Sequence, residues 1–243
     1  MTPARASRRP IPAAVLVLLA VAACVATAAL GQAPASLSDV KPPQPTVPEI
    51  FTLKGQFVRV AYNNEGYATL GYRIANSSAG EEWMLLDAGF TVLKGTPNYV
   101  LKRDALSIRT PDGQTVPLAT QKDYMEAGYL RALNARAKVG RDSLNYFPVE
   151  ANRACAMQFF ADSGGGPGRL AYDEVELSHN RACVGRLYFK VPGGIKIGQH
   201  WLVVQLASSR LEVPFRILTP EEEKFLRKNW EDLGKELDEA LRK

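Results

Sequence analysis

The chain has 243 residues, a formal charge of +5 and the composition of an ordinary globular protein, with Gly and Pro on the high side. That length allows one or two domains. Residues 1–31 hold three arginines and no acid, so without them the charge is only +2, too small to call for nucleic acid or an anionic membrane surface as a partner.

The N-terminus carries a targeting pattern. Arg5, Arg8 and Arg9 precede an apolar run from Ala13 to Leu30, and small residues follow it. A basic n-region, an apolar h-region and a small-residue site are the marks of a secretory signal, with cleavage after Gly31 the leading reading. Two others stay open. The run is long enough to remain as an uncut membrane anchor. Val21-Ala22-Ala23-Cys24 also resembles a lipobox, in which Cys24 would be lipidated. In every case the remainder of the chain is expected outside the cytoplasm: periplasmic, secreted or membrane-anchored. It would meet the membrane only through this N-terminal segment. Residues 32–52 form a linker, because Pro34, Pro42, Pro43, Pro45 and Pro48 favour extended backbone.

Residues 53–218 read as a β domain. Val58, Val60 and Tyr62 alternate with Phe57, Arg59 and Ala61. After the Asn63–Gly66 turn, Ala68, Leu70, Tyr72 and Ile74 continue the alternation up to Asn76-Ser77-Ser78. Further strands are expected from Trp83 to Leu93, from Tyr99 to Arg109, and at Val116 and Leu118. A helix over about 121–139 interrupts them, with Thr120 and Asp123 as a capping pair, Met125, Tyr129, Leu130 and Leu133 as its apolar side and Gly140 as its stop. Cys155, Met157 and Phe159 share one parity, and Cys183, Leu187, Phe189 and Val191 share another. Trp201–Leu206 and Leu211–Leu218 form a hairpin whose second strand lies at an edge or carries a bulge, since Pro214 cannot donate.

Residues 219–243 form a C-terminal amphipathic helix. Thr219, Pro220 and Glu222 are its start signal. Leu226, Trp230, Leu233, Leu237 and Leu241 make its apolar stripe, too short for a coiled coil by itself.

In an oxidising compartment the two cysteines left after the signal, Cys155 and Cys183, are expected as a disulfide, since no CxxC spacing or nearby histidine suggests a reactive or metal-binding pair. His179 and His200 lack partners at metal-ligand spacing and read as surface or strand-end residues. Alternation leaves Glu174 and Glu176, beside Asp173, on a solvated strand face, with a metal site as the weaker alternative. Ser163–Gly168 is glycine-rich, yet no Lys-Ser/Thr follows it, so a loop is preferred to a phosphate cradle. Tyr124, Tyr129, Arg131, Arg136, Lys138 and Arg141 read as a half-buried helix with a solvated back, or as a mildly basic partner surface.

The strand rhythm, with ATLGYRIANSS and the closing GRLYFKVPGG, HWLVVQL and LEVPFRIL, resembles immunoglobulin-like modules of exported bacterial proteins. The resemblance implies a mainly β chain: an antiparallel, immunoglobulin-like β-sandwich with one inserted helix and a terminal helix. The cysteines stand only 28 positions apart with no tryptophan between them, so their bridge is not equated with the inter-sheet disulfide of antibody domains.

No constellation of nucleophile, base or metal ligands is present, and no cofactor is implied. The leading expectation is a non-catalytic module binding another envelope or extracellular protein. Trp230, Leu233 and Leu237 would form one contact surface, and Tyr129 and Arg131 a second. A carrier for a glycan, small molecule or metal is the alternative, and a hydrolase without a recognisable motif comes third.

Overall fold

A computed structural model describes residues 50–161 and 170–241, with side chains of the terminal helix described as far as Lys235. Residues 1–31, read from sequence as a signal, nearly all of the expected linker and the glycine-rich loop lie outside the described residues. The chain is mainly β, 40% strand against 23% helix. Among the described residues no helix is long and apolar enough to cross a membrane.

The larger sheet has six strands: β1 (Ile50–Gly55), β2 (Val58–Tyr62), β3 (Gly66–Gly71), β4 (Trp83–Val92), β10 (Arg181–Lys190) and β8 (Arg153–Ala156), in that spatial order. Its pairs are antiparallel except β8 with β10. The second sheet has the order β12 (Arg210–Ile217), β11 (Gly198–Gln205), β6 (Leu106–Arg109), β7 (Thr115–Pro117). A short pair joins β5 (Tyr99–Lys102) to β9 (Glu174–Leu177). Strand β12 lies over β2 and β3, and one continuous core takes Leu70, Leu86 and Phe90 from the first sheet and Leu202, Val213 and Phe215 from the second. Facing antiparallel sheets with a shared core are compatible with a β-sandwich.

Local patterning explains most strands. In β12, Leu211, Val213, Phe215 and Ile217 are buried on one side, and Pro214 sits in the outermost strand of its sheet, where its missing donor costs no ladder bond. Strand β4 differs, because all ten of its residues are buried. A strand covered on both faces reads as a continuous apolar run. Its outer face is approached so closely that a Cβ on Gly89 would lie 2.5 Å from Phe147 Cζ.

Three elements depart from the sequence pattern. The alternation predicted through Ile74 stops at Gly71, and Arg73–Ser77 forms a short helix, α1. There Arg73 grips Asp142 through its Nε at 3.0 Å and Nη2 at 2.7 Å, with its guanidinium over the Phe57 ring, so long-range contacts override the strand pattern. The single strand expected from Tyr99 to Arg109 is two, broken by a 3-10 turn at Arg103–Ala105. Arg103 turns inward there, donating to the Phe159 and Ala119 carbonyls and lying over the Phe160 ring. The helix expected over 121–139 is also two, α2 (Gln121–Glu126) and α3 (Leu130–Val139). Thr120 caps α2 as predicted, accepting from the Asp123 amide at 3.0 Å. The break at Ala127-Gly128-Tyr129 shifts the phase: Met125 and Tyr129, expected on the apolar side, are 65% and 46% exposed, while Tyr124, Leu130, Leu133 and Ala137 are buried.

The terminal helix, α4 (Pro220–Leu241), starts as its sequence dictates. Thr219 Oγ1 accepts from the Glu222 amide at 3.1 Å, and Glu222 accepts from the Thr219 amide at 2.9 Å. Asn76 fastens the junction, accepting from the Leu218 amide and donating to Glu223.

Cys155 and Cys183 are disulfide-bonded. They are register partners on the adjacent parallel strands β8 and β10, so the bridge lies within one sheet rather than between two. It holds a four-residue strand that, among the described residues, lies at the sheet edge beside β10 alone. Replacing both cysteines by alanine is expected to lower stability by ~3–4 kcal/mol in the loop-entropy account, read as a lower urea midpoint. An unchanged midpoint would show that β8 is held without the bridge.

Candidate functional site

The outer face of β4 and β10 is where polar chemistry collects. Register sets Val184, Arg186, Tyr188 and Lys190 of β10 beside Gly89, Asp87, Leu85 and Trp83 of β4. Alternation brings these two rows onto one face. Asp87 and Arg186 form an ion pair at 3.5 Å, with both side chains almost wholly removed from solvent. Burial raises the Asp87 carboxyl above its ordinary value, while the neighbouring Arg186 and Arg141 act to lower it. Helix α3 covers the middle of the row. Asn134 Oδ1 accepts from Arg186 at 3.3 Å and from the Tyr188 hydroxyl, and Asn134 Nδ2 donates to the Tyr124 hydroxyl at 3.3 Å. Burial also drives the Tyr188 phenol far above its usual range. The members of this network satisfy one another. It ties the cover to the sheet and presents no reactive group.

A cleft opens at each end of the covered row. At the Lys190 end, about 460 Å³ is enclosed by Trp83, Tyr129, Lys190 and four acids: Glu81, Glu82, Asp123 and Glu126. Each acid is engaged: Glu81 by Arg136 at 2.7 Å, Glu82 by Lys190 at 3.4 Å, Asp123 by Thr120 at 2.5 Å and Glu126 by Lys122 at 3.9 Å. The Tyr129 hydroxyl donates to Glu81 at 2.5 Å and accepts from Arg136 at 2.8 Å. The Arg136 guanidinium holds the Glu81 carboxyl below the usual range, and the Glu81 hydrogen bond lifts the Tyr129 phenol. At the Val184 end, a groove of about 610 Å³ lies between the 141–152 segment and the outer face of β8 and β10.

The residues singled out from sequence fall in different places. Tyr129 lines the acidic cleft, whereas Arg131 is exposed and not among its lining. The basic aromatic patch does not form as a unit, since Tyr124 is buried and Arg136 is committed to Glu81. On α4, Leu233 is 37% exposed, Trp230 is half-buried, and the Leu237 side chain lies outside the described residues. Glu174 and Glu176 face solvent while Leu177 is buried, as alternation requires. Among the described residues no group of three or more His, Cys, Asp or Glu side chains is placed to hold a metal ion.

His179 is exposed, but His200 is fully buried, correcting its reading as a surface or strand-end residue. Its ring stacks on Phe215, its register partner, with centroids 5.3 Å apart, and Nδ1 lies 3.1 Å from the Gly198 carbonyl. Nε2 has no hydrogen-bond partner among the described residues.

Sequence reasoning missed Asp87, Arg186, Asn134, Glu81 and both clefts. One signal was present, because an aspartate inside the apolar run Trp83–Val92 requires a partner once that run is buried. The clefts have no local signature, being assembled from segments far apart in the chain, 141–154 with 182–184 for one and 81–83 with 123–129 and Lys190 for the other.

No family model, curated protein or solved structure matches this chain.

Burial lowers the His200 pKa. The unfolded state therefore takes up a proton near pH 6.5 that the folded state refuses, and stability is lost as pH falls below that value. Thermal melts from pH 7.5 to 5 are expected to show a steeper fall in Tm for the native chain than for His200→Leu. Parallel curves would remove His200 as the cause.

Proposed function

We propose that this protein is an exported, non-catalytic module that binds another envelope or extracellular macromolecule through α4. Its β body we read as an immunoglobulin-like sandwich carrying that helix, with the bridge inside one sheet a departure from the antibody pattern. Export rests on the basic, apolar and small-residue pattern of residues 1–31, and fits with a disulfide in the folded body.

The observation that carries the reading is the attachment of α4. Its first turn is tied to the body through Asn76–Glu223 and Arg216–Glu222. Beyond Glu223, the hydrogen bonds and ion pairs of its described side chains are internal to the helix: Glu223 to Arg227, Asn229 to the Phe225 carbonyl and Asp232 to Lys235. Phe225, beside the stripe, is 63% exposed, and Leu233, within it, is 37% exposed. An amphipathic helix stiffly capped at one end suits docking into an apolar groove of a partner. Tyr129 and Arg131 are assigned as a second, lesser surface; the hydroxyl of Tyr129 is already committed to Glu81.

The double substitution Phe225→Gln and Leu233→Gln leaves the cap, the core and the half-buried Trp230 intact. Changes at such exposed positions alter stability by only about 0.5 kcal/mol each. Cross-linking in envelope extracts is expected to give a discrete partner with the native chain and none with the double variant, at nearly equal Tm. The same partner captured by both would remove α4 from the proposal.

A further inference from the structure

We propose that the groove between the 141–152 segment and the outer face of β8 and β10 binds an organic anion with an apolar body. This rests on different residues from the reading of α4 and stands without it. The floor is apolar and held in place: Ala154 and Ala182 are register partners, Val184 continues the row, and the disulfide follows at the next pair. The wall is anchored as well. Phe147 lies on the glycine face at Gly89, Leu144 lies against Gly71, and the Tyr67 hydroxyl donates to the Tyr146 carbonyl at 2.5 Å. A volume near 610 Å³ suits a small organic ligand more than a protein surface.

Charge decides the ligand class. Arg141 and Arg153 line the groove and are exposed, and neither has a hydrogen bond or ion pair from its side chain among the described residues. Most other arginines do, including Arg73, Arg109, Arg136, Arg186, Arg216 and Arg227. The one acid in the lining, Asp142, is gripped by Arg73. Arg141 feels the buried Asp87 carboxylate, but that group is held by Arg186. Two unpaired guanidinium groups therefore flank an apolar slot. A guanidinium fork matches carboxylate or phosphate oxygens, and the floor accepts a hydrocarbon chain.

Isothermal titration of the folded chain with decanoate tests this, with acetate lacking the tail and decanol lacking the charge. Saturable one-site binding of decanoate is expected, much tighter than either control. Arg141→Gln and Arg153→Gln are each expected to weaken it about ten-fold or more, the scale of a charge-assisted hydrogen bond, with Tm unchanged. Co-sedimentation with phosphatidylglycerol vesicles, compared with phosphatidylcholine vesicles, then tells a lipid headgroup from a free amphiphile as the source. No saturable decanoate binding, equal binding by decylamine, or native affinity in both arginine variants would each overturn the proposal.

Discussion

The structure depends on one constraint: β4 is buried along its whole length, on both faces. A single sheet cannot provide that. The inner face is closed by the sheet containing β11 and β12, which gives the shared core. Among the described residues no second sheet lies on the outer face, and α3 and the 141–152 segment cover it instead. That cover lies close to the strands, which is why Gly89 has no room for a side chain beneath Phe147. A methyl group there would push the segment off the sheet and expose the apolar row it protects.

Covering the outer face also buries charge. Asp87 and Arg186 are neighbours across β4 and β10, and neither reaches solvent to any useful degree. A buried pair is weak as a source of stability, since two desolvation costs offset one attraction, but losing either partner strands the other. Asn134 extends the pair to Tyr188 and Tyr124, so helix and sheet are joined by directional bonds rather than apolar contact alone. The clefts occur where this cover runs out. The two differ in charge because the Lys190 end is bordered by acids that already have partners, whereas the Val184 end is bordered by arginines with none among the described residues.

Legibility in the sequence followed the range of the interactions. The β11–β12 hairpin, the Thr219–Glu222 cap and the solvated face of β9 were readable because each depends on residues within about ten positions. The disulfide was readable from cysteine chemistry and the expectation of export, while its place between parallel register partners was not. The errors arose where a distant partner overrode a local pattern. Asp142 and the Phe57 ring draw Arg73 into a helix, and the Phe159 and Ala119 carbonyls draw Arg103 inward through the middle of an expected strand. His200 was misplaced for the same reason, since only the pairing of β11 with β12 stacks it on Phe215.

By itself, then, the sequence determined the β-rich class of the body, the cysteine pair, the capped terminal helix and the expectation of export. Each of these is encoded in composition or in a period of two or three to four residues. Only the tertiary structure decided which strands share a sheet, which strand is covered on both sides, and where that covering ends. Arg141 and Arg153 are unremarkable in the chain, twelve positions apart on either side of a loop. They become two cations over an apolar floor, without an ion-pair partner among the described residues, because the loop between them is folded back onto β8 and β10, and that placement comes from long-range packing, which no local pattern records.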